Sequence, residues 1–333
     1  MELDKNSLTL ELDEIERAQI GQLADGLAGL DPVSDPDRFV LEAQMLAAEV
    51  PARIRRRLLQ FRRFGSDSGG FLLRGLPLGE VPPTPQHGDL GSGVRLTAAA
   101  ALSIVAAHLG EQFGFRPELS GLMVQDIVPV DGFEDTQQSI SSRSLLELHT
   151  ETAFTEYRAD FIGLLCVRAD PDAMAGTLLS PIGTVLTRLD PADVEILRQP
   201  QFSTTVDASF LRGCGADGPI VVQPIRVLTG SSAQPRLRCD FAEVRGLDAR
   251  SDHAVRRLHE AASETATEVR LRDGDLLFVD NHQAFHGRTP FARHGDGTDR
   301  WLLRSFIARD LARSVADRPG DGRIIDIDYS SAE

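Results

Sequence analysis

Residues 145–154 read LLELHTETAF, and the placement of His149 and Glu151 within this short run decides the fold. The apolar residues around the pair predict a strand. A strand repeats every two residues, so His149 and Glu151 project from one face, as two ligands of a single metal ion must. The plainer alternative is a surface His and Glu beside a turn. Triplets of the form His-x-Asp/Glu occur three times, but His87–Asp89 and His294–Asp296 lie in Gly-rich loops where nothing aligns the side chains. A third candidate ligand, His286, comes 135 residues after Glu151 in GDLLFVDNHQAFHGRTPF (274–291), following another predicted strand. Two histidines and one carboxylate leave three positions of an ion open, the facial arrangement diagnostic of non-haem Fe(II) oxygenases.

Outward from this run, the chain from about residue 121 consists of short β-rich segments separated by turn residues. They are GLMVQDIVPV, DFIGLLCVRA, QFSTTVDASFL, PIRVLTG, RLRCDF, EVRLRDGDLLFVD and RWLLRSFIA, the texture of a barrel or sandwich. Apolar periodicity predicts three helices within 12–64, another over TAAAALSIVAAHLGEQFG (97–114), one after Asp190 and one over 251–267. GGFLLRGLPLG (69–79) predicts a strand and residues 80–95 a Pro/Gly-rich loop. The expectation is one domain over 1–333, mostly β with flanking helices (α+β). A mainly helical part, 1–120, packs on a 121–312 core, and 319–333 forms a mobile tail.

The 50 acids outnumber the 35 bases, for a net charge of −15. Such a surface repels nucleic acid and anionic membranes, which argues against both as partners. Cys166, Cys214 and Cys239 form no CxxC pair and read as buried, reduced thiols. The N-terminal stretch MELDKNSLTLELDEIERA has no basic, then apolar, signal pattern, and no run is long enough for a membrane span; a cytoplasmic protein is expected.

Arg300 follows His286 by 14 residues, and Arg304 lies four further on the same predicted strand. An arginine near a metal suits capture of a carboxylate, and two on one inward face would be costly without anionic ligands. A pair of surface salt bridges is the alternative.

ELHTETAF, YRADFIGLLCVRADP, DNHQAFHGRTPF and DGTDRWLLRSFIARDLARS resemble the clavaminate synthase-like oxygenases, and within them the hydroxylases of free lysine, arginine and asparagine. The resemblance covers about residues 35–315. It implies a double-stranded β-helix (jelly-roll) core, Fe(II), and 2-oxoglutarate and O2 as cosubstrates. It implies His149, Glu151 and His286 as metal ligands and Arg300 with Thr177 as contacts to 2-oxoglutarate. It further implies Arg304 and Glu118 as holders of a substrate α-carboxylate and α-ammonium, and Ser139, Asp207, Ser209 and Asp240 as the side-chain pocket. TTVDASFLRG resembles the lysine hydroxylases, but the second acid of the D-x-D spacing is absent after Asp240. Glu243 is expected to point to the opposite face if that strand continues. The substrates rank lysine, then arginine or ornithine, then asparagine, glutamine or citrulline. A carrier-bound or modified amino acid, undergoing desaturation or cyclisation, stays open. A non-oxygenase metal-binding cupin and a zinc hydrolase are the other classes, and both leave Arg300 and Arg304 without a task.

Overall fold

The computed structural model describes residues 9–86, 97–216 and 218–329. Two sheets form the jelly-roll core. The larger runs in the order Thr9–Glu11, Gly70–Arg74, Leu276–Asp280, Phe161–Arg168, Trp301–Ala308, Glu111–Phe115, Ile324–Ile325, with Gln125–Ile127 also paired to Trp301–Ala308. The smaller runs Thr267–Val269, Thr177–Pro181, Ala284–Arg288, Leu146–His149.

Phe161–Arg168 (FIGLLCVR) shows why the large sheet is central. Nearly every residue is apolar, because both faces are covered. Phe161, Leu165 and Val167 pack toward the N-terminal helices, while Ile162, Leu164 and Cys166 pack with Phe306 and Leu302 on the other side. Each fully buried side chain of this size contributes about 1.5–3 kcal/mol. The helix Thr97–Ala106 is buried all round from Ala98 to Ala106, as its unbroken apolar sequence predicts. The helices Glu14–Asp25, Pro36–Ala47 and Ala52–Phe64 fall where periodicity puts them, the first closed by an Asp13–Glu16 capping box.

Several segments differ from the sequence reading. The helix from Thr97 stops at Ala106, and Glu111–Phe115 is a strand beside Trp301–Ala308. Gly110 makes the switch: a Cβ there would stand 2.0 Å from the Ala308 carbonyl oxygen. QFSTTVDASFL is a strand only over Phe202–Thr205; from Asp207 it turns into the helix Ala208–Cys214, whose Phe210 stacks edge-on against Phe115 and Phe154. RLRCDF pairs only over Pro235–Leu237, and Asp240 reaches His149 through a single bridge.

The expected tail is docked. Ile324–Ile325 pairs parallel with Gly114–Phe115, and the Tyr329 ring packs on Phe154 and Phe210. Strands from the first 120 residues likewise belong to the large sheet. Ile325 is 1% exposed. Ile325→Ala is expected to destabilise the protein by about 2–5 kcal/mol, read as a lower denaturant midpoint at unchanged m-value.

Candidate active site

The two histidines meet across a ladder. His149 ends its strand, and His286, in the middle of Ala284–Arg288, is its register partner. Directly opposed residues share a face, and the ring centroids are 4.2 Å apart. Glu151 lies beyond the strand end, in a turn where Thr152 adopts φ +51°. The same-face argument for His149 and Glu151 therefore picks out residues that the structure does bring together, but for a reason it does not share. The turn is held by Asn281, whose Oδ1 accepts from the Glu151 N–H (2.7 Å) and whose Nδ2 donates to the Glu151 carbonyl (3.2 Å) and to that of Ala159 (2.9 Å).

The donor atoms of His149, Glu151 and His286 lie within 4.8 Å of one another, the one such cluster among the described residues. His149 Nδ1 faces the Glu147 carbonyl at 2.8 Å, which turns Nε2 toward the site. Glu151 Oε2 is 3.3 Å from His286 Nε2 and 3.9 Å from His149 Nε2, while its Oε1 accepts from Arg304 at 2.7 Å. One carboxylate oxygen thus joins two imidazole nitrogens and the other is fixed from outside, a donor set that fits an Fe(II) ion held by three ligands. Burial opposes the charge on Glu151, but Arg304 and the histidines hold its carboxyl well below the usual range. Burial also opposes charge on His149, yet Glu151 and Asp240 lift it to about 9; burial and the charge on His149 push His286 down to about 4. Of the other triplets, His294 pairs with Asp172 at an exposed loop, and His87–Asp89 lies outside the described residues.

A cavity of about 550 Å³ opens over the triad and brings the remaining candidates together: Glu118, Ser139, Thr177, Asp207, Ser209, Asp240, Arg300 and Arg304 all line it. The two arginines differ. Arg304, on Trp301–Ala308, donates to Glu118 (2.6 Å), Glu151 (2.7 Å) and Gln125 (2.6 Å). Its charge is balanced within the protein, so the expected cost of two unpaired inward arginines applies only to Arg300. Arg300 sits just before the strand, is 7% exposed, has no hydrogen bond or ion pair among the described residues, and lies over the Phe291 ring. Burial lowers its pKa, as it does that of Arg288, which Arg300 pushes down further, to about 9. Arg288 was not singled out from sequence, although it lies in the HGR segment; it is tied to Ser141 and Ser144 and makes this end of the cavity more positive.

The same lining also carries acids. One Glu118 carboxylate oxygen has no partner, and burial raises its pKa. Burial and the neighbouring acids, Asp240 first, push Asp207 well above its ordinary range. Glu243 is the correction: residues 241–243 form a turn instead of continuing a strand, so Glu243 joins the cavity wall, where Thr205 donates to it.

A jelly roll carrying two histidines and a carboxylate at one mouth, with an unpaired arginine beside them, defines a non-haem iron oxygenase. Residues 67–306 match the model of the taurine catabolism dioxygenase TauD, TfdA family. The L-asparagine oxygenase of Streptomyces coelicolor is 41% identical over 277 residues, 83% of this chain and 81% of that protein. The L-lysine 3-hydroxylase of Catenulispora acidiphila is 32% identical, covering 97% and 90%. The crystal structure of an asparagine oxygenase with Fe(II), 2S,3S-3-hydroxyasparagine and succinate superposes with a TM-score of 0.89 at 37% identity, over 96% of this chain and all of that one. The chain belongs to the TauD/TfdA dioxygenase family and is an Fe(II)- and 2-oxoglutarate-dependent oxygenase.

Asn281→Ala removes the backbone clamp on Glu151 and leaves all three candidate ligand side chains unchanged. It is expected to weaken metal binding about 10–100-fold, measured by Fe(II) titration under argon.

Proposed function

We propose that this oxygenase hydroxylates an unactivated carbon, C3 or C4, of a free L-α-amino acid with a basic side chain, L-lysine first, in secondary metabolism. The observation that carries the reading is the charge of the cavity lining: Arg304 bonded to both Glu118 and Glu151, with Asp207, Asp240 and Glu243 in the same wall. In this reading His149, Glu151 and His286 hold Fe(II). Arg300 and Thr177 receive the distal carboxylate of 2-oxoglutarate, with Arg288 adding positive charge. Arg304 takes the substrate α-carboxylate and Glu118 its α-ammonium. Ser139, Ser209, Asp207, Asp240 and Glu243 line the place of the side chain. Burial first, and then the neighbouring acids, raise the carboxyl pKa values of Asp207 and Asp240, and a cationic side chain relieves the crowding.

When bound, Fe(II) with 2-oxoglutarate and O2 supplies the oxidising chemistry and releases succinate and CO2. The protein's share is aim and dryness. Arg304 and Glu118 fix the amino acid's two charged groups, and Leu164, Leu302 and Ile127 line the cavity with apolar surface. Glu151 fills the position that a halogenase leaves to chloride, which supports hydroxylation. We also propose that residues 1–333 act as one oxygenase unit, with 1–120 and 319–333 supporting the 121–312 core, in the cytoplasm, where the three unpaired cysteines would stay reduced.

Asparagine is the second reading, favoured by the 41% identity to an asparagine oxygenase. The two are separated by succinate formation from Fe(II), 2-oxoglutarate and each of lysine, ornithine, arginine, asparagine, glutamine and citrulline, with mass spectrometry of the amino acid. Lysine is expected to stimulate succinate most and to gain 16 Da. If no free amino acid stimulates it, the free-substrate reading fails; if His149→Ala keeps full turnover, the metal assignment fails.

Glu243→Gln is expected to raise KM for lysine about tenfold or more, from the loss of a charged partner, while leaving KM for asparagine within about twofold. Equal changes for both would remove Glu243 from substrate selection.

A further inference from the structure

A second concavity, about 480 Å³, opens away from the residues of the candidate active site, and its lining is opposite in charge to the protein as a whole. Arg158, Arg226, Arg236, Arg238, Arg309 and Arg313 converge there. Glu156, Asp160 and Asp310 are the acids of the lining, so three positive charges are in excess on a chain of net charge −15.

The floor is built. Arg158 is 9% exposed, has no carboxylate within salt-bridge distance among the described residues, and its Nε has no hydrogen-bond partner. Its Nη2 donates to the Leu237 carbonyl (3.0 Å) and lies 3.3 Å from His282 Nδ1. His282 Nε2 is 2.9 Å from Asp160, so a neutral imidazole donates to Asp160 through Nε2 and accepts from Arg158 through Nδ1. Burial, then the charges of Arg158 and Arg236, push His282 down to about 4, which agrees with that state. Burial first, then the crowding by Arg238, Arg236 and Arg313, pulls Arg158 itself down to about 9. Asp160 makes its short bonds to His282 and to the Arg309 N–H (2.8 Å). Arg236 and Arg313 reach it only at 3.5 and 3.4 Å, and their side chains are 41% and 50% exposed. Two arginine forks are therefore loosely held above a buried, unpaired third. Planar guanidinium forks match the oxygens of a tetrahedral oxyanion.

We propose that this pocket binds a phosphate group, free or carried on a small molecule, through Arg158, Arg236 and Arg313. Glu156 and Asp310 in the lining, together with the negative net charge, oppose an extended polyanion such as nucleic acid and favour a small ligand seated in the concavity.

The test is calorimetric titration of inorganic phosphate, and separately of O-phosphoserine, into the full chain at constant ionic strength set with NaCl. Saturating 2-oxoglutarate is present throughout, to occupy the anion site at Arg300. Saturable binding of at least one phosphate compound is expected, weakened at least tenfold in Arg236→Gln/Arg313→Gln. That variant is also expected to keep wild-type succinate formation with the best substrate, which separates this proposal from the reading of the active site. Tighter binding of phosphoserine would identify a carried phosphate, and tighter inorganic phosphate a free ion. Heats no larger than those of NaCl alone, or equal affinity in the double variant, overturn the proposal.

Discussion

The cross-strand pairing of His286 with His149 is the constraint around which the site is organised. In an antiparallel ladder, directly opposed residues point the same way, so two imidazoles 137 positions apart in sequence arrive at one face through hydrogen-bond register alone. A slip of one residue in either strand would send one ring to the other side. Glu151 has no such protection, because it sits past the strand end. Its position depends on Asn281, which comes from the turn immediately before the strand that carries His286. The same turn thus sets where one histidine begins its approach and where the carboxylate ends.

Beside this arrangement Arg300 and Arg304 differ in their pairing. Arg304 touches Glu151 on one side and Glu118 on the other, so two buried carboxylates of the cavity share one cation. Arg300, on the same stretch of chain, has no such partner among the described residues. Two arginines four residues apart are chemically distinct only because of what the neighbouring elements supply: Glu118 from the turn after Glu111–Phe115 for one, and the ring of Phe291 for the other.

Much of this was legible beforehand, and the misses have physical reasons. Helices with clear 3.6-residue periodicity and caps fall in place, because their signal is local. His149, Glu151 and His286 could be picked out by residue type and context, although the register that unites the histidines is a long-range fact that no local spacing encodes. Glu243 was assigned outward because a strand was extended past Asp240, where the chain in fact turns. Asn281 and Arg288 act on backbone groups, and such partners leave no pattern in composition. The segment after Gly110 reads as helical only as a continuation of the alanine- and leucine-rich run before it; a close backbone approach to Ala308 overrides that continuation.

The order of strands in the large sheet has a consequence for how the molecule is made. Thr9–Glu11 and Ile324–Ile325 lie at its two ends, and its interior alternates segments from residues 70, 276, 161, 301 and 111. Almost no neighbouring pair is close in the chain. During synthesis Thr9–Glu11 can pair early with Gly70–Arg74, but the strands 70–74, 111–115 and 161–168 wait for 276–280 and 301–308 to fill the places between them, and the edge at 111–115 is covered only by residues 324–325. Long-range pairing of this kind makes folding slow and leaves strand edges exposed in the interim. The nascent chain therefore depends on the early helices 14–64 to keep its first apolar surfaces covered while the sheet waits to close.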